Sequence, residues 1–250
     1  MKATVNLGQV SLILVQPHIP ENIGAAARAM NNMGLSRLVL VDPQNYDLSR
    51  VRKTATAGSI HLVEEMAVYG DLNEALDPYH YVVGTTARTG ASRPAMSNPR
   101  TLAHDLIPLS LDNRVAILFG PEDRGLSNEQ LQYCHTIVRI PTAPFSSLNL
   151  AQAVLIICYE MFLAGREDRP ASVPRLASTF ELEGMYEHIK SVATTIGFID
   201  PQNPEHWMRN IRRFLSRYRL RARETRIIRG FCRQIDWYTN QFEKDEKKME

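Results

Sequence analysis

Residues 11–43 read SLILVQPHIPENIGAAARAMNNMGLSRLVLVDP, and this stretch decides the fold. An apolar run of strand length (11–17) leads into an alanine-rich helical pattern (22–34) that Gly34 can close in the left-handed conformation. A second apolar run (37–43) is stopped by Asp-Pro. The same alternation continues outward. Strand-like runs fall at 67–70, 79–86, 115–120 and 135–141, with helical patterns between them. In one of these, 127–134, Ser127 and Gln130 have capping-box spacing. Strands alternating with helices predict an α/β domain with a mostly parallel sheet. The last element of this region, LNLAQAVLIICYEMFLAG (148–165), is too apolar for a surface helix and is expected in the core or in an interface.

Proline, charge and small residues then break the pattern at 165–179, and no strand-like alternation follows. The expected organisation is an α/β domain over 1–165, a linker over 166–179 and a small all-α extension over 180–250. Charge divides along the same line. Residues 1–165 carry a net −2 and residues 166–250 a net +4, with ten arginines against two glutamates between Glu205 and Arg233. Such a concentration of cations suggests a polyanionic partner. Trp207, Phe214, Tyr218 and Phe231 are interleaved with the arginines, which fits RNA backbone binding with some base stacking. The competing reading is an amphipathic helix that packs these aromatics inward.

Composition excludes several classes. At 44% apolar and 22% charged residues the 250-residue chain is not disordered. No apolar run approaches the roughly 20 residues of a membrane span, and the N-terminus reads as a first strand rather than a secretory signal. Three scattered cysteines without a CxxC pair argue against a disulfide framework or a zinc site and for a reducing cytoplasm.

Three segments carry candidate chemistry. In the first, Asn22, Gly24 and Arg28 lie where the first strand hands over to the first helix, where parallel sheets place ligand sites. Asn22 as a helix cap and Arg28 as a solvated cation is the plainer alternative. In the second, ILFGPEDRGLS (117–127), a buried strand enters a turn fixed by two glycines and a proline. It matches neither GxGxxG nor GxxxxGK[ST]. In the third, RIPTAPFSSLNLAQAV (139–154), Ser146, Ser147 and Asn149 open the apolar helix, either as ligand donors or as simple caps. Ser147 lacks the GxSxG context of a hydrolase nucleophile.

In this order NIGAAARAM, LFGPEDRGLSNEQL and SSLNLAQAV, with VVGTTAR at 82–88, closely resemble the SpoU (TrmH-like) branch of the SPOUT methyltransferases. Within that branch the likeness is to the bacterial enzymes that methylate the 2′-oxygen of tRNA cytidine and uridine. The EGMYEHI and RNIRRFLSR stretches resemble that group's helical C-terminal extension. The resemblance implies a deep trefoil knot, a homodimer with sites at the subunit interface, and S-adenosylmethionine as cofactor. It places Thr85, Thr86, Ala87, Gly120, Ile140, Ser146, Ser147 and Leu148 around that cofactor, and Asn22, Arg28, Glu122, Ser147 and Asn149 around the reacting ribose. The implied partner is tRNA, at nucleotide 32 of the anticodon loop, with Arg28, Arg209, Arg212, Arg213 and Arg217 as RNA contacts. DNA, membrane and metal are not implied. The segment ASRPAMSNPR (91–100) matches the family only loosely, which leaves substrate contacts there open.

In this family the motif-one arginine, here Arg28, is the proposed base. An arginine pKa above ~12 makes an electrostatic role the sounder expectation, with Ser147 or Asn149 orienting the hydroxyl. Two rivals remain: a ribosomal RNA 2′-O-methyltransferase of the same branch, and a catalytically silent RNA-binding protein on the same scaffold.

Overall fold

The computed structural model describes residues 4–88, 96–164 and 174–249. Residues 91–95 of the loosely matching segment and 166–173 of the expected linker lie outside this set.

Among the described residues seven strands make one sheet: β1 (Val10–Val15), β2 (Arg37–Val41), β3 (Ala67–Tyr69), β4 (Tyr81–Thr85), β5 (Met96–Ser97), β6 (Val115–Phe119) and β7 (Thr136–Val138). Their order is β3-β2-β1-β6-β4-β7-β5, and every pairing is parallel. Central strands of such a sheet are covered on both faces, so they read as unbroken apolar runs. All of β1 and β6 is buried, with Leu12 beside Leu38 on one side and Ile117 on the other. Each such side chain taken out of water contributes roughly 1.5–3 kcal/mol.

The helices of this part are α1 (Pro20–Asn32), α2 (Leu48–Glu64), α3 (Leu72–Leu76), α4 (Pro99–Asp112), α5 (Asn128–Leu131) and α6 (Leu150–Leu163). Helix α1 begins two residues before the expected start. Pro20 takes the first helical position, where its missing N–H costs nothing, and Ile19 is the N-cap without a side-chain bond. Asn22 is therefore not a cap, and its side chain is free for other work. Gly24 is a packing residue: a Cβ there would lie 2.1 Å from the Val51 carbonyl oxygen and 2.3 Å from Thr54 Oγ1. The Thr54 hydroxyl donates to the Glu21 carbonyl at 2.8 Å. Arg50 grips the Glu21 carboxylate at 2.7 and 2.9 Å and holds it below the usual carboxylate range. Helix α2 is broken midway at Thr56, at φ 63° and ψ 164°. The box of Ser127 and Gln130 forms as expected at the start of α5.

Helix α6 is shorter than the apolar stretch suggests. Asn149 caps it, accepting from the amides of Ala151 and Gln152, so neither Ser146 nor Ser147 is its N-cap. One face (Leu150, Val154, Ile157, Cys158, Met161) is buried, but Leu155, Tyr159 and Phe162 are 39%, 47% and 51% exposed.

The chain divides into two compact units after Arg175. Leu176 and Ala177, within the stretch expected as linker, are fully buried in the second unit. That unit holds α7 (Thr179–Thr195), α8 (Pro204–Leu215) and α9 (Ala222–Met249) around Met185, Tyr186, Ala193, Ile199 and Met208. A Ser178–Glu181 capping box starts α7.

Candidate active site

At the carboxyl ends of β4, β6 and β7 the first unit opens into a cleft of about 880 Å³, counting the solvent at its mouth. Ligand sites of parallel sheets lie at this edge. Thr85, Thr86 and Ala87 come from the end of β4, Gly120 and Glu122 from the loop after β6, Ile140 from beyond β7, and Ser146, Ser147 and Leu148 from the approach to α6. All eight residues that the resemblance assigned to the cofactor thus line one cavity. Phe119, Val138, Leu150 and Ala153 add apolar walls; Arg88, Asp123 and Arg124 add charge. Sequence reasoning missed these last three, although Asp123 and Arg124 sit inside the quoted second motif.

The loop after β6 has its path set by two glycines. A Cβ on Gly120 would lie 2.2 Å from the Leu126 nitrogen, and Gly125 has φ +63°, so the loop folds back onto its own start. Thr85 spends its hydroxyl on the Leu118 carbonyl at 2.8 Å, knitting β4 to β6. Thr86 donates its amide to Val138 O and accepts the Arg88 amide on Oγ1. Two buried polar atoms on the segment after β7, Thr142 Oγ1 and Arg139 Nε, have no hydrogen-bond partner among the described residues.

Three segments far apart in sequence meet at the edge of this cleft. Asn149 turns Oδ1 toward the α6 amides, which leaves Nδ2 to donate to Asn22 Oδ1 at 2.9 Å. Asn22, 7% exposed, donates from Nδ2 to Glu122 Oε1 at 2.7 Å. Glu122 also accepts the His18 amide on Oε2 at 2.9 Å and the Ile19 amide at 3.4 Å. Each amide orientation follows from what its partner can give or take. His18 continues the cluster, with Nδ1 3.7 Å from Asp123 Oδ1. Beside it, Arg124 donates to Gln16 Oε1 at 3.0 Å, and Gln16 donates to Asp42 at 2.9 Å.

Arg28 is not brought into the cleft. It is exposed on α1 and makes no ion pair among the described residues. Six residues turn a helix by about 600°, so Arg28 and Asn22 leave the α1 axis about 120° apart. Ser147 is exposed at the cleft.

In the second unit Arg209, Arg213 and Arg217 are exposed without ion pairs among the described residues. Arg212 departs from the expectation. Its guanidinium holds Glu183 at 2.6 and 2.7 Å and lies 4.3 Å from the centre of the Tyr186 ring, so it ties α8 to α7 and is already engaged. Trp207, Phe214, Tyr218 and Phe231 are 42–69% exposed, which overturns the inward-packing alternative. Among the described residues no helix is long and apolar enough to cross a membrane, and no cluster could hold a metal ion.

The family described as SpoU rRNA Methylase matches residues 9–159, and the tRNA methyltransferase TrmJ C-terminal domain matches residues 180–247. A tRNA (cytidine/uridine/adenosine-2′-O-)-methyltransferase TrmJ of Pseudomonas aeruginosa is 37% identical over 90% of this chain and 92% of its own. A tRNA (cytidine/uridine-2′-O-)-methyltransferase TrmJ of Cronobacter sakazakii is 35% identical over 94% and 99%. Among solved structures, TrmJ from Z. mobilis ZM4 superposes with a TM-score of 0.79 at 31% identity, covering 90% of this chain and 98% of that one.

Proposed function

Because this chain belongs to the SpoU rRNA Methylase family, we propose that it methylates a ribose 2′-hydroxyl of tRNA with S-adenosylmethionine as donor. The observation that carries this reading is the Asn149–Asn22–Glu122 chain, which joins three motifs at the edge of one cleft. The full-length likeness to tRNA methyltransferases in both units supports tRNA as the acceptor.

The cleft suits the cofactor in its chemistry. Apolar walls from Phe119, Val138, Ile140 and Leu148 can take a purine and a thioether, and the charged Asp123 and Arg124 of the same lining can meet its polar groups. When bound, the cofactor supplies an electrophilic methyl group on a cationic sulfur. The residues do the rest. Glu122 fixes the 18–22 segment, Asn22 and Asn149 hold their amides in one orientation, and Ser147 or Asn149 orients the hydroxyl. Arg28, exposed outside the cleft and unpaired among the described residues, holds a backbone phosphate of the RNA. Correct alignment alone is worth several kcal/mol, with roughly 7–11 kcal/mol the ceiling. In the second unit Arg209, Arg213 and Arg217, with the exposed aromatics, grip the RNA.

The finer reading is a homodimer seated through the exposed Leu155–Tyr159–Phe162 face of α6, a trefoil-knotted cleft, nucleotide 32 of the anticodon loop and a cytoplasmic location. The knot rests on membership of the family.

The test is methyl transfer to unmodified total tRNA and, separately, to ribosomal RNA, followed by nucleoside mapping. The expected product is 2′-O-methylated cytidine or uridine in tRNA. Methylation confined to ribosomal RNA, or none, overturns the proposal.

A further inference from the structure

We infer that Arg124 is the oxyanion-binding residue of this cleft, set in place by a relay of Gln16 and Asp42. Its ligand is a carboxylate or phosphate that the proposed function brings there: the methionyl carboxylate of the cofactor or a phosphodiester of the RNA. The inference rests on that function and gives one of the cleft's charges its task.

Arg124 lines the cleft and is exposed at it. Its Nη2 donates to Gln16 Oε1 at 3.0 Å, and Gln16 Nε2 donates to Asp42 Oδ2 at 2.9 Å. A guanidinium can only donate, so Gln16 offers it the oxygen and keeps its amide nitrogen for the carboxylate. Gln16 follows β1, Asp42 follows β2 and Arg124 lies in the loop after β6, so the relay ties the carboxyl ends of three neighbouring strands. The main chain beneath it is fixed as well. The Gln16 amide donates to the Val41 carbonyl at 2.7 Å and the Asp42 amide to the Tyr69 carbonyl at 2.8 Å. The Arg88 guanidinium, from the same lining, donates to the Arg124 carbonyl.

The charge left at Arg124 separates it from a structural arginine. Arg50, Arg52, Arg100 and Arg212 each meet a carboxylate. The Arg124 side chain meets a neutral amide instead, its only hydrogen bond among the described residues, and makes no ion pair there. The carboxylate stands one step back, on Asp42, where it orients Gln16 without pairing with the guanidinium. Asp123, the neighbour in sequence, faces His18 Nδ1 at 3.7 Å. Further N–H groups of Arg124 are left over, in a planar fork that matches two oxygens of a carboxylate or phosphate.

The backbone holds this relay against its own preference. Gln16 and Asp42 have φ 49° and 45°, the left-handed region that residues with a Cβ seldom adopt. Such residues persist where surrounding contacts fix them, and they gather at ligand sites. A merely solvated arginine gains little from being held still, since the tether costs it rotamer freedom. An arginine that meets a ligand does gain, because freedom already lost in the free protein is not lost again on binding.

The experiment compares wild type, Arg124→Ala, Arg124→Lys and Gln16→Asn as full-length proteins. Calorimetry measures S-adenosylhomocysteine, 5′-methylthioadenosine, which lacks the amino-carboxylate end, and tRNA. If the ligand is the carboxylate, Arg124→Ala should bind S-adenosylhomocysteine about 10- to 100-fold more weakly and 5′-methylthioadenosine as before. If it is the phosphodiester, tRNA affinity should fall by a similar factor and its log–log salt slope should flatten by about 0.7, with both nucleosides bound normally. Arg124→Lys should recover part of the same loss. Gln16→Asn tolerates the left-handed backbone but is too short for the relay; it should weaken the same ligand, and add nothing in the Arg124→Ala background. The inference is overturned by unchanged affinities in Arg124→Ala, by 5′-methylthioadenosine weakening in step with S-adenosylhomocysteine, or by a Gln16→Asn loss that persists without Arg124. A wild-type protein that methylates no tRNA refutes the parent reading instead, and the binding data report on Arg124 separately from that failure.

Discussion

Asn149 Nδ2 donates to Asn22 Oδ1 at 2.9 Å across 127 residues of chain. That bond, with the 2.7 Å bond from Asn22 to Glu122, makes a single polar unit of segments that the sheet order brings to one edge. Asn22 is buried, so its amide depends on both partners. Removing one leaves a donor or acceptor unsatisfied, which costs more than the bond was worth.

Asn22→Ala should therefore lower stability by about 1–3 kcal/mol and depress methylation, because Glu122 and Asn149 both lose a partner. Urea unfolding read beside turnover checks this. An unchanged midpoint with normal turnover would show that the chain of amides is incidental.

Arg28→Ala should abolish methylation while S-adenosylmethionine affinity stays within about twofold of wild type, the pattern of a group that holds the RNA rather than the cofactor. Calorimetric titration and methyl transfer decide it. A variant with near-normal turnover sinks the role given to Arg28.

Arg212 and its neighbours should separate cleanly. Arg212→Ala loses the paired bonds to Glu183 and the contact with Tyr186, so it should destabilise the helical unit by about 1–3 kcal/mol. Neutralising Arg209, Arg213 or Arg217 should leave unfolding unchanged. Each true phosphate contact removed should flatten the plot of log affinity against log salt by about 0.7 for single-stranded RNA. Salt titrations that show no flattening would remove that residue from the RNA surface.

Gly24→Ala should cost about 1–3 kcal/mol, since its Cβ would lie 2.1 Å from the Val51 carbonyl oxygen and force α1 and α2 apart. Thermal unfolding measures it, and a wild-type melting temperature would mean that the helices separate freely.

Burial pushes the Cys134 thiol up and the Cys158 thiol up to about 12. Both should stay unlabelled by iodoacetamide at pH 8 in the folded protein and react fully in denaturant, because the thiolate is the nucleophile. Rapid labelling of either in the native state would contradict its burial.

What the sequence determined by itself is local and periodic. The unbroken apolar runs of β1 and β6 announced strands covered on both faces, and the Ser127–Gln130 spacing announced a capping box. Three motifs marked out residues that the folded chain gathers at one cleft, because motif residues are constrained wherever they end up. The break in helix α2 was illegible, since the positive φ of Thr56 leaves no mark in the residue pattern. Only the tertiary structure could decide which role each polar side chain takes. Asn22 looked like a cap until Pro20 began the helix ahead of it, and Ser147 gave the cap to Asn149. Arg212 looked like its neighbours until Glu183, on another helix, claimed it. His18 gave no signal, because its 3.7 Å approach to Asp123 is set by a strand order that no local pattern encodes. Hydrogen bonds and ion pairs are short-ranged, so a residue's partner is fixed by where the chain brings it in space and not by its distance along the sequence.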